Sequence, residues 1–370
     1  MDIGYWAVSK RKPDYILLAT IVVIVIIGLA ALFSASAVES HEDFGDIYSY
    51  FRHQLIYGLG LGVLFAFIAY KIPYKKLKPW ALPILLTAIF GLLLVFIPSI
   101  SAEAGGARRW INIAGFSLQP SEFAKLGFII YLATWFEGRR GMRLKWNEGF
   151  VPFIVIMGAL SSLIILQPDI GTLGVIAITA MFMYFAAGAS LGQIATIVFM
   201  GGALLFALTK TAPYRMERFL AFFNNAIDPL GISYQINQAL LAIGSGGLTG
   251  IGLGKGLQKI NFLPEPMKDS IFAVWLEEMG FIGGLILIFA FVLLGFRGLR
   301  IAKKTNDRFG SYLATGIIFW IMVQAFTNIG SMLGLIPLTG IPLPLVSYGG
   351  SSMIVTLTGL GILLNISKYT

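Results

Sequence analysis

"KRKPDYILLATIVVIVIIGLAALFSASA", residues 10–37, decides the class of fold. Three basic residues precede an apolar run of about 19 residues, enough to cross a bilayer core of about 30 Å as a helix. The rival reading is a cleaved signal peptide, because the run ends in Ala35-Ser36-Ala37, which resembles a cleavage site. The apolar part of a signal peptide is usually about 7–15 residues, however. Removing this one would also leave an odd number of spans and spoil the charge bias described below. The expectation is a retained first span.

The composition points the same way. Of 370 residues, 57% are hydrophobic and 12% charged, with a mean hydropathy of +0.82. Soluble domains average about 25% charged residues. The net charge of +9 comes from short basic loops between apolar runs rather than from a basic face, so membrane topology explains it and nucleic acid does not. With no cysteine and only His41 and His53, neither a thiol nucleophile nor a Cys- or His-built metal centre is available.

Ten runs are long and apolar enough to read as spans, near 15–34, 53–70, 79–98, 120–136, 149–167, 170–188, 190–209, 270–296, 311–333 and 346–366. Alternate loops hold Lys10 to Lys12, Lys71 to Lys78, Arg139 to Lys145, Arg297 to Arg308 and Lys368. Together these carry seventeen of the 27 basic residues. By the positive-inside tendency this side, with both termini, is cytoplasmic. The expected architecture is an all-α polytopic bundle, one domain over 1–370, with a large outer loop at 210–269. No repeat of 20–50 residues is visible.

Polar residues cluster at four places assigned to the outer side. In "LPEPMKDSIFAVWLEEMG", 263–280, Asp269 stands at the mouth of span eight beside Glu265 and Lys268. A carboxylate at a water–lipid boundary loses hydration and keeps a raised pKa, which suits a general base, and it can bind a divalent cation. The plainer reading is a solvated helix start. Glu277 and Glu278 lie deeper, where an ionised pair needs a role or a buried cation. In "GGARRWINIAGFSLQPSEFAKLGF", 105–128, Arg109 suits phosphate oxygens, while Glu122 and Lys125, three apart, share a helix face and could simply pair. "LQPDIGT" and "GIPLPLVSYGGSS" complete the set. The seven glycines of "GSGGLTGIGLGKG", 244–256, lack the spacing of a nucleotide loop and read as a turn allowing close backbone approach. The convergence suggests an outward site for an anionic, lipid-borne ligand.

These segments, in this order, resemble the SEDS family of cell-wall polymerases, the FtsW, RodA and SpoVE group, over essentially the whole chain. The resemblance implies a ten-helix glycosyltransferase that polymerises lipid II outside the membrane, alongside a class B penicillin-binding protein transpeptidase. It places the essential acid on Asp269, and it puts substrate-binding roles on Arg109, Glu122 and Lys125. With Arg215, Lys268 and Glu265 these complete the expected site, and Asp269 is the candidate ligand for a Mg or Mn ion. Many members carry His-Thr-Asp where this chain has Met267-Lys268-Asp269. The flanking Lys268 is expected to depress the Asp269 pKa. The competing classes are a lipid flippase or transporter, which favours polar sites near the midplane, and a non-catalytic scaffold of the division or elongation machinery.

Overall fold

The computed structural model describes residues 12–104, 107–113, 116–139, 145–211, 216, 222 and 233–370. Each of the ten expected runs falls on a helix. In chain order, α1 is Tyr15–Ala35, α2 is Ala37–Phe44, and α3 is Ser49–Lys71 with a π-helical stretch at Gln54–Gly60. Then come α4 (Ala81–Leu94), α5 (Pro120–Glu137), α6 (Trp146–Leu166), α7 (Ile170–Ala186) and α8 (Leu191–Thr211). The last four are α9 (Tyr234–Gly246), α10 (Ile271–Lys304), α11 (Arg308–Met332) and α12 (Gly350–Ser367). Among the described residues seven helices are long and apolar enough to cross a membrane. Two more, α4 and α7, are apolar but shorter, and α5 carries Glu122, Lys125 and Glu137.

Large apolar side chains face outward all round the bundle, including Ile26, Phe67, Phe90, Phe206 and Phe289. In lipid that surface costs nothing, and helix association rests on close packing instead. Small residues supply it. A Cβ on Gly361 would stand 2.3 Å from the Ala66 carbonyl oxygen, so α12 and α3 meet backbone to backbone. Helices α11 and α12 form the buried centre; α8 is almost wholly exposed. The first span belongs to the core: Leu17, Ile24 and Leu32 are fully buried, and Asp14 at its start holds Arg297 of α10 at 2.5 Å.

The structure corrects the sequence reading in two respects. The fold is not purely helical: β1 (Ser101–Ala104), β2 (Ala107–Ile113) and β3 (Phe116–Leu118) form an antiparallel sheet in that order, with Ser101 opposite Ile111 and Ile113 opposite Phe116. The segment read as an arginine-bearing loop is therefore a braced ribbon. Span eight is also two rods. Gly280 takes φ 65° and ψ −169°, outside the helical region, and divides α10 into Ile271–Met279 and Phe281–Lys304. At 1.5 Å per residue the second rod alone still spans the bilayer core. Asp269 thus sits above a short, buried rod, not directly at the mouth of the span.

The glycine-rich segment fills that break. Ile251 and Gly252 donate N–H bonds to the Glu277 and Glu278 carbonyls at 3.1 and 3.0 Å. On the other side, Phe281 and Ile282 donate to the carbonyls of Gly247 and Leu248 at 2.9 and 3.1 Å. The approach requires glycine at Gly250, where φ is +80° and a Cβ would lie 2.0 Å from the Glu278 carbonyl oxygen. The Gly250→Ala variant should lose roughly 1–3 kcal/mol from backbone strain alone and show a lower thermal midpoint in detergent. Gly244→Ala, with no atom near its added methyl, should melt like wild type. Equal midpoints for both variants would show that residues 246–252 are not docked in the break.

Candidate active site

The segment carrying Asp269 is held by its own backbone. Three successive carbonyls each accept a hydrogen bond: Met267 from the Tyr348 N–H at 2.8 Å, Lys268 from the Ser347 hydroxyl at 2.5 Å, and Asp269 from the Asn328 amide at 2.8 Å. Ser270 donates to the Pro264 carbonyl at 2.7 Å. The side chain of Asp269 is therefore presented from a fixed frame. Its Oδ2 accepts from Gln235 of α9 at 3.2 Å, and its Oδ1 is buried without a hydrogen-bond partner among the described residues. Burial pushes the Asp269 carboxyl up to about 6; the Gln235 bond opposes that rise and Glu265 adds to it. The expected depression by Lys268 is overturned. The Lys268 ammonium turns outward to Glu265, 2.8 Å away and half-exposed like itself, so its lowering effect on Asp269 is outweighed by desolvation.

Glu122 and Lys125 lie elsewhere in the frame. They pair at 2.7 Å, both buried, and Lys125 also donates to the Gln324 side-chain oxygen at 2.7 Å beneath the Trp320 ring. Gln324 in turn donates to the Pro342 carbonyl at 3.0 Å. Asn328, one turn along α11, bonds both the Ile341 and Asp269 carbonyls at 2.8 Å. The pair thus braces the 339–348 loop that packs on Asp269, and the modest reading of its spacing, mutual pairing, is the one observed.

Arg109 is fastened too: its guanidinium donates to the carbonyls of Gln167, at 3.2 Å, and Pro168. That corner leads into α7, where Asp169 caps the helix by accepting from Thr172, and where Gly171 packs against Thr339 and Ile341. A Cβ on Gly340, next along, would be 4.0 Å from Asp269 Oδ2. The four clusters are therefore contiguous, linked through the 339–348 loop. Arg215 lies outside the described residues. Sequence reasoning missed Gln235 as the partner of Asp269, and it gave Gln324 and Asn328 no place in the site. Their signal was amide side chains one helical turn apart inside an apolar span.

A divalent ion caged by protein takes six or more oxygens. Among the described residues no three His, Cys, Asp or Glu side chains converge on one point. Asp269 alone does not make a dedicated metal site, and a cation there would draw most of its ligands from water or a substrate phosphate.

Beside this frame, α3, α4, α5 and α12 enclose an open apolar groove of about 600 Å³. It runs from Ile72 and Leu77 at one end to Ile111 and Leu118 of the sheet at the other. The sheet end meets the site, since Gln119 donates to Ser351, three residues beyond Tyr348, at 3.0 Å.

Residues 14–370 match the family model described as cell cycle protein, the FtsW/RodA/SpoVE family. The chain belongs to that family. It is 40% identical over 362 residues to stage V sporulation protein E of Bacillus subtilis, covering 98% of this chain and 99% of that one. To the probable peptidoglycan glycosyltransferase FtsW of Geobacter metallireducens it is 40% identical over 357 residues, 96% of this chain and 95% of the relative. Among solved structures, the crystal structure of the rod shape determining protein RodA of Thermus thermophilus superposes with a TM-score of 0.71 at 29% identity, over 98% of both chains. A chain from a peptidoglycan synthase complex, described as coordinating polymerization and crosslinking, gives 0.79 at 28% identity over 98% of both. This family member is an integral membrane protein, as its apolar helices require.

Because the folded-state pKa of Asp269 is raised from 3.8 to about 6, ionisation opposes folding. Whatever stability the protonated carboxyl contributes is complete below about pH 4 and lost as pH rises through 6. Asp269→Asn should therefore raise the thermal midpoint at pH 7.5 and leave it unchanged near pH 4. A variant less stable than wild type at pH 7.5 would contradict the burial argument.

Proposed function

We propose that the protein is a peptidoglycan glycosyltransferase that joins the disaccharide units of lipid II by β-1,4 links on the outer face of the membrane. The observation that carries this reading is Asp269: a half-buried carboxylate on an immobilised backbone, with a pKa of about 6 and one oxygen without a hydrogen-bond partner among the described residues. The charge bias assigns both termini to the cytoplasm, and counting ten spans from there puts the start of span eight, with Asp269, on the outer side.

In the proposed reaction the 4-hydroxyl of an acceptor sugar attacks C1 of the donor. The C1–O bond to the lipid pyrophosphate breaks as the new C1–O bond forms, inverting the anomeric carbon. The Asp269 carboxylate takes the hydroxyl proton, and undecaprenyl pyrophosphate departs with the bonding electrons. A base with a pKa near the working pH accepts that proton more strongly than an ordinary aspartate while remaining ionised. The apolar groove suits the polyprenyl chain, and its sheet end would bring the pyrophosphate to the site. Half-exposed Lys268 is a cation available to the leaving group, and Arg215, which the sequence reading assigns to the outer loop, is the second one proposed; Arg109 and Lys125 serve by holding the corner and the loop in place. A divalent cation bound beside Asp269 would neutralise charge on the substrate phosphates.

The partner proposed is a class B penicillin-binding protein, consistent with the synthase-complex neighbour. Division-type synthesis is favoured over elongation because the FtsW and sporulation relatives share more of this sequence than the RodA structure does.

The test is polymerisation of labelled lipid II by the purified protein with its transpeptidase. Asp269→Asn should lose roughly 100-fold or more in rate, with an acid limb near pH 6 in wild type. Strands made equally by both proteins would acquit Asp269. Lipid II movement across vesicles without strand formation would favour the flippase.

A further inference from the structure

A second buried charge cluster lies on the far side of Asp269. Glu277 and Glu278 close the short rod Ile271–Met279, each about 1% exposed. Glu278 Oε1 accepts from Lys259 at 2.6 Å, from the Ser34 hydroxyl of α1 at 2.6 Å and from the Gly256 N–H at 3.4 Å; Lys259 also donates to Ser34 at 2.5 Å. Glu277 Oε1 accepts from the N–H groups of Leu257 and Gln258 at 2.9 and 3.2 Å. Both carboxylates press on Gly256, where a Cβ would stand 2.8 Å from Glu277 Oε2 and 3.0 Å from Glu278 Oε1. Leu263, itself buried, donates back to the Gln258 carbonyl at 2.8 Å. The chain therefore makes a closed circuit: it leaves the clamp at Lys259, turns through Asp269, and returns along the short rod to Glu277 and Glu278.

A buried ion pair is a poor stabiliser, since apolar residues of similar volume hold a core as well or better; its best-attested use is to fix register. The glycine insert and the Tyr348, Ser347 and Asn328 bonds hold this segment's backbone, and the ion pair adds a side-chain tie from the short rod to Lys259 and to Ser34 of α1. The break at Gly280 uncouples Ile271–Met279 from the membrane rod that follows, so helix continuity does not set where the short rod, and Asp269 above it, comes to rest. We propose that Lys259, Glu277 and Glu278, with Ser34, are positioning residues that clamp the Asp269 loop from below and fix the placement of its carboxylate. They touch no substrate. The inference rests on Asp269 being the general base.

Two measurements on the purified full-length protein test it. Hydrogen exchange reads the clamp without reference to activity: Glu278→Gln should speed amide exchange across 263–270 while leaving 285–300 at the wild-type rate. Unchanged exchange in 263–270 overturns the proposal whether or not polymerisation is seen. In the lipid II assay, Glu278→Gln should lower kcat about 10- to 100-fold, the scale of a small misplacement, with KM within about twofold. Its acid limb should shift below the wild-type position as water reaches the loosened carboxylate. The double variant Lys259→Met with Glu278→Leu removes both charges and should recover the wild-type thermal midpoint but not the rate. Recovery of rate and acid limb together would make the cluster merely structural and overturn the proposal. Glu277→Gln keeps an oxygen for the two N–H groups and should retain more activity than Glu277→Ala; equal losses would remove Glu277 from the clamp. A wild type without polymerase activity would fail the reading of Asp269 as a base, and the exchange result would still judge the clamp.

Discussion

Backbone polar groups inside a membrane protein have no bulk water to turn to. Breaking α10 at Gly280 frees carbonyls at the end of one rod and N–H groups at the start of the next. The glycine-rich 246–252 segment answers both sets, because it brings its own N–H groups to Glu277 and Glu278 and its own carbonyls to Phe281 and Ile282. A Cβ at Gly246 or Gly250 would stand 2.1 or 2.0 Å from the Leu276 or Glu278 carbonyl oxygen, which is why glycine is required at those two positions and why the segment is a docked insert. Everything above the break depends on this exchange.

The same rule shapes the site itself. Non-helical backbone at 263–270 is tolerated only where each exposed carbonyl finds a donor, and Tyr348, Ser347 and Asn328 supply three in succession. A constraint imposed by solvation thereby becomes a catalytic asset. A carboxylate on so fully bonded a backbone has little freedom left to lose, so its orientation is set before any ligand arrives. Lys125 and Glu122 extend the frame at a distance: their mutual charge neutralisation lets Gln324 sit deep in the bundle and reach the Pro342 carbonyl.

Much of this was legible in the sequence, and the unread parts share physical causes. Apolar runs located a helix at each of the ten expected places because segment length and hydropathy are local properties. The sheet was not legible: "ARRWINI" alternates weakly, and its partner strands are three and four residues long. The break at Gly280 hid inside "AVWLEEMGFIGGLILIF", where the apolar run resumes directly after Glu277 and Glu278 and only the backbone departs. Glu277 and Glu278 announced a need for a cation, yet Lys259 lies nineteen positions away, with nothing local to select it over Lys255. The Lys268 error has the same origin. Adjacency in sequence suggested that its charge acts on Asp269, whereas the side chain projects to Glu265 and leaves burial in control.

Burial in control has a consequence for the chemistry. An aspartate in water, near 3.9, is ionised at neutral pH but holds a proton weakly. A carboxylate in a dry apolar pocket binds it strongly and is then protonated before the reaction begins. Asp269 lies between these limits because two effects oppose each other: the 339–348 loop and α9 strip water from it, while the Gln235 amide stabilises the ionised form. The balance leaves a base that is still charged at neutral pH and more basic than its solvated counterpart. Without Gln235 the group would drift toward the protonated acid, and without the packed loop it would relax to an ordinary surface carboxylate. Both neighbours are needed: α9 leads directly into the glycine insert that fills the break at Gly280, and the 339–348 loop is tied to α11 through Gln324 and Asn328.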